Sequence, residues 1–187
     1  MNNFLFHKTT FTGLEIIERQ KRVDNRGFFE RQYCFESLKN LTDGKPIRQI
    51  NLTMTQKEGT VRGLHFQYPP NAEKKIVSCL KGKVWDVVVD LRSGSPTYLK
   101  YHAVILSEEN RLSYLIPEGF AHGFQSLLPN CEILYFHTAD YEPTSEGALN
   151  ALDARLNIKW PIKITERSTR DSNHKMLTEV FTGIKFK

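Results

Sequence analysis

Short apolar runs separated by polar turns dominate the chain between residues 13 and 141. The runs are rich in Val, Ile, Phe and Tyr, and turn residues lie between them, as in residues 24–27 (DNRG) and 93–96 (SGSP). β-Branched and aromatic residues favour strands, and many short strands at regular spacing are typical of sandwiches and barrels. The pattern therefore predicts a mainly β protein with few helices.

Residues 84–92 (VWDVVVDLR) alternate in a way that assigns side chains to two faces of one strand. One face is wholly apolar and is predicted to be core: Trp85, Val87, Val89 and Leu91. The other face carries Asp86 and Asp90. In a strand closed into a barrel, these carboxylates point either to solvent or into a polar lumen.

Helical patterns are scarce. Residues 30–41 are the main candidate before the C-terminal part, and residues 145–156 are a weaker one that opens with a possible Ser145 cap. From about residue 160 the chain becomes more polar, so we expect this segment to lie across the sheets. Because no linker or repeat marks a boundary, residues 1–187 are predicted to form a single domain.

Composition and charge exclude several classes of function. The 187 residues include 26 Lys and Arg against 21 Asp and Glu, a net charge of +5, but the basic residues are scattered and form no stripe interleaved with aromatics. No nucleic-acid partner is therefore expected. No run approaches the roughly 20 apolar residues of a membrane span, and the first residues lack the pattern of an export signal, which predicts a cytoplasmic protein.

Residues 60–67 (TVRGLHFQ) are the densest cluster of chemically useful groups. Strict alternation places Arg62 on one face of a strand and His65, with Gln67, on the other. A strand histidine can be a hydrogen-bonded structural group or a catalyst. Ten residues further on, Lys75 precedes an apolar pair, where a lysine can polarise a carbonyl, hold a phosphate or remain a solvated edge residue.

Residues 116–124 (IPEGFAHGF) resemble the Pro-x-Gly-x-x-His second motif of the cupin double-stranded β-helix, a jelly-roll barrel. In metal-binding cupins the first motif supplies two histidines one residue apart. Here the corresponding stretch has His65 followed by Phe66 and Gln67, so the mostly imidazole ligand set is incomplete. We therefore expect no metal and no cofactor, with a metal-dependent cupin enzyme that uses His65 and His122 as the alternative.

Several motifs in order resemble one family, the dTDP-4-dehydrorhamnose 3,5-epimerases of the cupin superfamily. They are residues 24–30, 62–67, 86–97 and 116–124, and the likeness extends to Asp171. The resemblance implies a metal-free isomerase that inverts carbon 3, carbon 5 or both of a nucleotide-linked 4-keto-6-deoxy hexose. It also implies a role in deoxysugar biosynthesis for surface polysaccharide such as lipopolysaccharide or capsule.

The resemblance also implies catalytic roles. His65 would be the base and Asp171 the carboxylate that holds it in its working tautomer, while Lys75 would stabilise an enolate and Tyr135 would return the proton from the opposite face. These residue types suit the chemistry, because a C–H beside a ketone can be removed only if the developing oxyanion is stabilised.

Substrate-binding residues and a homodimer are implied in the same way. The nucleotide-diphosphate sugar would be bound by residues at six matching positions: Arg26, Glu30, Asn51, Arg62, Gln67 and His122. In the family, the N-terminal strand region commonly pairs across subunits. The aromatic start of this chain, with Phe4, Phe6 and Phe11, fits such an exchange but fits equally well with covering its own sheet.

The sequence departs from the family pattern around the sugar and nucleotide pockets. The familiar Gln-x-Lys becomes Glu73-Lys74-Lys75, and Phe136, His137 and Asp140 stand where the family commonly has other residues. A GDP-linked donor, inversion at carbon 3 or carbon 5 alone, and a non-catalytic nucleotide-sugar binding module therefore stay open.

Overall fold

The computed structural model describes residues 3–186. Within that range the chain forms thirteen β-strands and two α-helices of four residues each. The strands are β1 (Phe4–Lys8), β2 (Glu15–Arg19), β3 (Lys21–Asp24), β4 (Gly27–Glu30), β5 (Gln49–Thr55), β6 (Val61–Gln67), β7 (Lys75–Lys81), β8 (Lys83–Asp90), β9 (Tyr101–Ser107), β10 (Leu112–Ile116), β11 (Phe120–Ser126), β12 (Cys131–His137) and β13 (Glu146–Ala148). The helices are α1 (Phe35–Leu38) and α2 (Thr169–Ser172), and a 3-10 helix covers Pro143–Ser145.

Two antiparallel sheets account for most of these strands. The six-stranded sheet has the order β1-β2-β10-β7-β12-β5, and the five-stranded sheet has the order β13-β6-β11-β8-β9. Strands β3 and β4 form a separate hairpin. Neighbouring strands in both sheets are distant in the sequence, as in a jelly roll. The structure confirms the predicted mainly β, cupin-type fold with a few short helices.

An apolar core lies between the two sheets. Val77 of β7, Val88 of β8 and Phe124 of β11 pack in it and are at most 1% exposed. Asp86 of β8 also points inward and is fully buried, so the face of this strand that carries it lines the barrel interior rather than solvent. The sequence left two positions open for Asp86, solvent or a polar lumen. The fold places it in the lumen.

A second apolar cluster covers the outer face of the five-stranded sheet. The face of β8 that was predicted to be core, including Val87 and Val89, packs there against residues of the C-terminal segment such as Leu156 and Trp160. This segment forms isolated bridges at Glu166 and Ile184 instead of a further sheet. It lies across the sheet, and it brings α2 against β6.

Both helix predictions need correction. Residues 30–41 contain a helix only at Phe35–Leu38. The helix predicted at residues 145–156 is wrong, because Glu146–Ala148 form β13 and pair with the open edge of β6. The ladder continues as Leu149 N–H donates to the Leu64 carbonyl at 2.9 Å. Hydrogen bonds from the sheet edge outweigh the weak helical preference of these residues.

The three N-terminal aromatic residues differ in their burial. Phe4 and Phe11 are buried in the core of their own chain, whereas Phe6 is 41% exposed. Two of the three therefore cover their own sheets. Among residues 3–186, no helix is long and apolar enough to cross a membrane.

Candidate active site

A cavity of about 810 Å³ opens between the sheets. Strands of both sheets and the C-terminal segment contribute to its wall, and its size falls within the range of small-molecule sites. Seven of the ten residues nominated from the sequence line it: His65, Lys75, Tyr135, Asp171, Asn51, Arg62 and His122.

His65 and Asp171 form a hydrogen-bonded dyad in this wall. His65 Nε2 lies 2.7 Å from Asp171 Oδ1, and the backbone N–H of Gly63 donates to Oδ2 at 3.2 Å. Burial alone would raise the pKa of Asp171, but these hydrogen bonds and the charge of His65 lower it to about 2. The carboxylate is therefore ionised, and Nδ1 of His65 is the nitrogen left to accept a proton.

Helix α2 holds Asp171 in place. Ser168 caps the helix, since its Oγ accepts from the backbone N–H of Asp171 at 3.0 Å. Arg167 donates to the Asp171 carbonyl at 2.6 Å. The side chain of Asp171 is only 5% exposed, so the orienting carboxylate is both fixed and shielded from water.

A β-bulge brings Arg62 and His65 to the same cavity, although strict alternation predicts opposite faces. The register between β6 and β11 shifts by one residue next to His122. Leu64 is the extra residue on β6, and it turns into the apolar cluster beneath the C-terminal segment. A bulge reverses the face of every residue beyond it, so the sequence-based assignment for Arg62 is wrong.

Lys75 and Tyr135 come from the opposite sheet. They lie on the neighbouring strands β7 and β12, and Lys75 is only 9% exposed. Burial raises the pKa of Tyr135 well above its usual value, so its phenol keeps its proton at neutral pH. The cavity thus has an imidazole on one sheet and a protonated phenol on the other.

A second histidine–carboxylate pair lies deeper in the cavity. His122 Nε2 is 2.9 Å from Asp86 Oδ1, and both side chains are almost fully buried. Burial raises the pKa of Asp86, although the charge and hydrogen bond of His122 act in the other direction. The ring of His122 also contacts Tyr135 edge-on at 6.1 Å.

Three nominated residues lie outside this cavity. Arg26 is at the exposed tip of the β3–β4 hairpin, 2.6 Å from Asp24. Glu30 is buried against Arg19 at 2.5 Å. Gln67 donates to backbone carbonyls of the loops around it, the nearer at 2.9 Å.

Several cavity residues have no counterpart in the sequence-based nomination. Arg167 and Arg170 lie on either side of Asp171 in the sequence and line the cavity wall. Their closeness to Asp171, which matches a family residue, could have identified them as candidates from the sequence. His174 does not line the cavity but packs edge-on behind His65, with ring centroids 6.1 Å apart and its Nε2 3.7 Å from Asp171 Oδ1.

These two histidines and the carboxylate between them are also a possible metal-binding group. One donor atom each of His65, Asp171 and His174 lies within 4.8 Å of the others. An ion on these atoms would replace the hydrogen bond between His65 and Asp171. The arrangement is therefore better suited to orienting an imidazole.

Comparison with known proteins decides the family. The family model described as dTDP-4-dehydrorhamnose 3,5-epimerase matches residues 8–179. The chain belongs to this family. Membership confirms the predicted enzyme class, an isomerase of the carbohydrate epimerase type.

Individual relatives match over most of their length. The dTDP-4-dehydrorhamnose 3,5-epimerase of Salmonella typhimurium is 38% identical over 92% of this chain and 94% of its own. A dTDP-4-dehydrorhamnose 3-epimerase of Streptomyces niveus is 36% identical over 89% of this chain and 81% of its own. The crystal structure of the Legionella pneumophila dTDP-6-deoxy-D-glucose-3,5-epimerase, in complex with dTDP-4-keto-L-rhamnose, superposes with a TM-score of 0.90 and 35% identity over 98% of this chain and 99% of that one.

Proposed function

We propose that the protein inverts carbon 3, carbon 5 or both of a dTDP-linked 4-keto-6-deoxy hexose. One observation carries the proposal: His65 and Tyr135 stand on facing sheets of a single cavity, and Lys75 lines the same cavity from the strand next to that of the tyrosine. Inversion needs a base on one face of the sugar ring, an acid on the other, and a cation near the ketone. The cavity supplies one candidate for each of these.

The first step removes a proton from the carbon beside the ketone. His65 accepts it on Nδ1, so the C–H bond breaks, an N–H bond forms, and the electron pair moves onto the ketone oxygen as an enolate. The ionised Asp171 stabilises the imidazolium through the 2.7 Å hydrogen bond. The ammonium of Lys75 stabilises the enolate oxygen, where a preorganised cation has its largest effect.

The second step returns a proton from the other face. Tyr135 donates its phenolic proton to the same carbon as the enolate collapses to the ketone, which leaves the inverted centre. Exchange with solvent then removes the extra proton from His65 and restores the one that Tyr135 has lost. Because burial raises the pKa of Tyr135, the free enzyme carries that proton across the neutral range.

The nucleotide diphosphate would occupy the basic part of the cavity. Arg62, Arg167 and Arg170 line it, and guanidinium groups suit a diphosphate because they form paired hydrogen bonds. We assign Asn51 to the sugar or base, since it also lines the wall, and His122 to the sugar. The Legionella relative was solved with a dTDP-linked keto sugar, which supports dTDP over GDP.

Deuterium incorporation tests the proposal. The protein is incubated in deuterated water with dTDP-4-keto-6-deoxyglucose, and in parallel with a GDP-linked 4-keto-6-deoxy sugar, and carbons 3 and 5 are followed by NMR. We expect deuterium at one or both carbons with the dTDP donor. No incorporation with either donor, despite measurable binding, would overturn the enzyme and favour the non-catalytic binding module.

The same spectra decide which carbons are inverted. The Streptomyces relative is named a 3-epimerase, so inversion at one centre occurs within this family. We propose inversion at both carbons, as the names of most of the similar proteins suggest. Deuterium confined to carbon 3 or to carbon 5 would replace this with the single-centre alternative.

The metal-dependent alternative finds little support in the donor set. Gln67 stands at the position of the missing second histidine, and its amide is bonded to backbone outside the cavity. The Nε2 atoms of His65 and His122 are engaged by two different carboxylates. Activity that survives dialysis against a chelator would agree with this, whereas loss that a divalent metal restores would revive the alternative.

A homodimer would account for two of the three nominated residues that lie outside the cavity, Arg26 and Glu30. Strand β5 is an edge strand, and its outer face exposes Ile50, Leu52 and Met54 by 47–59%. Apolar side chains in such a row favour association. We propose that two copies associate there and that the exposed hairpin carries Arg26 to the partner's cavity, with Glu30 anchoring its base. The cytoplasmic location stays a prediction.

A further inference from the structure

A buried carboxylate outside the nominated set contacts two groups of the cavity wall. Glu73 Oε1 lies 3.0 Å from Lys75 Nζ, and Glu73 Oε2 lies 2.8 Å from His137 Nδ1. The three side chains are only 8–12% exposed. Glu73 and His137 both stand at positions where the sequence departs from the family pattern.

Glu73 on its own would weaken the cation that the reaction needs. Burial favours a neutral carboxyl group, but the hydrogen bond from His137 and the charge of Lys75 hold the pKa of Glu73 below its ordinary value. The carboxylate is thus ionised directly beside the ammonium. In a poorly solvated site, such a partner cancels much of the positive potential that an enolate oxygen would experience.

His137 is placed to offset this charge. It is the direct cross-strand partner of Lys75 between β12 and β7, so the sheet itself fixes the two groups on either side of Glu73. When the imidazole is protonated, the three groups carry a net charge of +1, the same as a lysine beside an uncharged glutamine. When it is neutral, the net charge is zero.

His137 also contacts the tyrosine that we assign as the acid. The rings of Tyr135 and His137 are stacked, 6.0 Å apart at 21°. The side-chain amide of Asn51 lies 3.4 Å from His137 Nε2 on the opposite side. Turned so that its oxygen faces the ring, this amide accepts a hydrogen bond from Nε2–H of the imidazolium. His137 therefore contacts both Glu73, the partner of Lys75, and the face of the Tyr135 ring.

We propose that Glu73 and His137 are a coupled pair of positioning residues, in which the imidazolium of His137 restores the positive charge that Glu73 takes from Lys75. The inference rests on the proposed function, because it concerns the cation that would stabilise the enolate. The charged or titratable groups that contact His137 are Glu73 and Tyr135, with Lys75 behind Glu73. Strand β5 presents two uncharged amide side chains to it, Asn51 and the direct cross-strand partner Gln49.

A four-protein comparison tests the coupling: wild type, Glu73→Gln, His137→Ala and the double variant. His137→Ala leaves Glu73 free to neutralise Lys75, so we expect kcat to fall at least about tenfold with little change in KM. Adding Glu73→Gln should restore kcat to within about threefold of Glu73→Gln alone, since the offending charge is gone. A double variant as slow as His137→Ala, or slower, overturns the proposal.

Two further readouts separate charge from packing. His137→Gln can still donate to Glu73 but carries no charge, so it should remain slow, and a fully active His137→Gln overturns the role of the charge. The pH profile of kcat is also recorded for wild type and for the double variant, which lacks both Glu73 and His137. An unchanged profile contradicts the proposal.

The chain offers a matched control in another histidine–glutamate pair. His7 and Glu18 lie 3.1 Å apart at the surface, on the edge of the six-stranded sheet opposite to β5. His7→Ala and Glu18→Gln should leave kcat and its pH profile as in wild type. Thermal unfolding of all variants identifies any that fail to fold.

A readout without catalysis keeps this inference separate from the proposed function. An amine-reactive probe, trinitrobenzenesulfonate, is applied to each protein, and labelling of Lys75 is followed by mass spectrometry. Glu73→Gln is nearly isosteric, so faster labelling of Lys75 in that variant measures the charge that Glu73 exerts. Equal rates overturn the pair. If wild type exchanges no deuterium but labelling differs, the proposed function fails while the charge interaction between Glu73 and Lys75 stands.

Discussion

Asp171 Oδ1 lies 2.7 Å from His65 Nε2, although 106 residues separate them in the sequence. Replacing Asp171 with Asn keeps the shape but removes the charge that fixes the tautomer of His65. We expect deuterium incorporation to slow by about 10²- to 10⁴-fold. Calorimetry of nucleotide binding is the control, and a variant that binds normally and exchanges at the wild-type rate would show that His65 needs no partner.

The same contact predicts a specific pH dependence of stability. The folded pKa of Asp171 is about 2, below its ordinary value of 3.8, so the stabilisation is present above pH 4 and is lost as the pH falls toward 2. Its full size is about 2 kcal/mol, and about half is lost by pH 3. Urea unfolding should show a gap between wild type and Asp171→Asn that is smaller at pH 3 than at pH 6. An equal gap at both values would contradict an ionised, hydrogen-bonded Asp171.

Tyr135→Phe should separate proton removal from inversion. His65 can still form the enolate, but the proton must return from the side of the histidine. We therefore expect deuterium in the unreacted sugar without accumulation of the epimer, measured by NMR after quenching. Full inversion by this variant would mean that another group, or water, supplies the second proton.

Lys75 and its neighbour Lys74 provide a matched comparison. Lys75→Met removes the cation beside the ketone, and exchange should slow by about 10²- to 10³-fold. Lys74 instead pairs with Asp43 at 2.6 Å and donates to the Leu41 carbonyl at 2.8 Å. Lys74→Met should exchange at the wild-type rate, and equal losses in both variants would refute a specific role for Lys75.

Mixed dimers test whether Arg26 acts across subunits. Arg26→Ala and His65→Asn are each expected to be poorly active. If Arg26 serves the partner's cavity, subunit exchange between them creates one complete site per mixed dimer, about a quarter of the wild-type activity after random pairing. Sedimentation verifies that dimers form. No recovery in verified mixed dimers would remove Arg26 from the partner's site.

The sequence predicts the strands better than the connections between them. The strand predicted at residues 84–92 corresponds to β8 in the structure. Both faces of β8 are buried, and this burial requires the apolar and β-branched side chains from which the strand was predicted. The helix predicted at residues 145–156 fails because the edge of β6 offers a ladder that no local preference reveals. Alternation likewise cannot reveal the bulge at Leu64, which depends on the pairing with β11.

The candidate site was partly within reach of sequence reasoning. The residue pattern singled out His65 and Lys75 as candidates, but only the family resemblance added Tyr135 and Asp171 to them. The pair formed by Glu73 and His137 was visible only as two separate departures from a pattern. Their relation depends on the register of β7 against β12, which no spacing in the sequence specifies.

The last strand ends at Ala148, and the carboxylate that aims the base follows 23 residues later. Because a protein is synthesised from its N-terminus, all the described β-strands are made before Asp171, the residue that hydrogen-bonds the ring of His65. Under the role proposed for Asp171, a chain that stops short of this residue would contain all thirteen described strands. It would lack both the partner of His65 and part of the apolar cover of the five-stranded sheet.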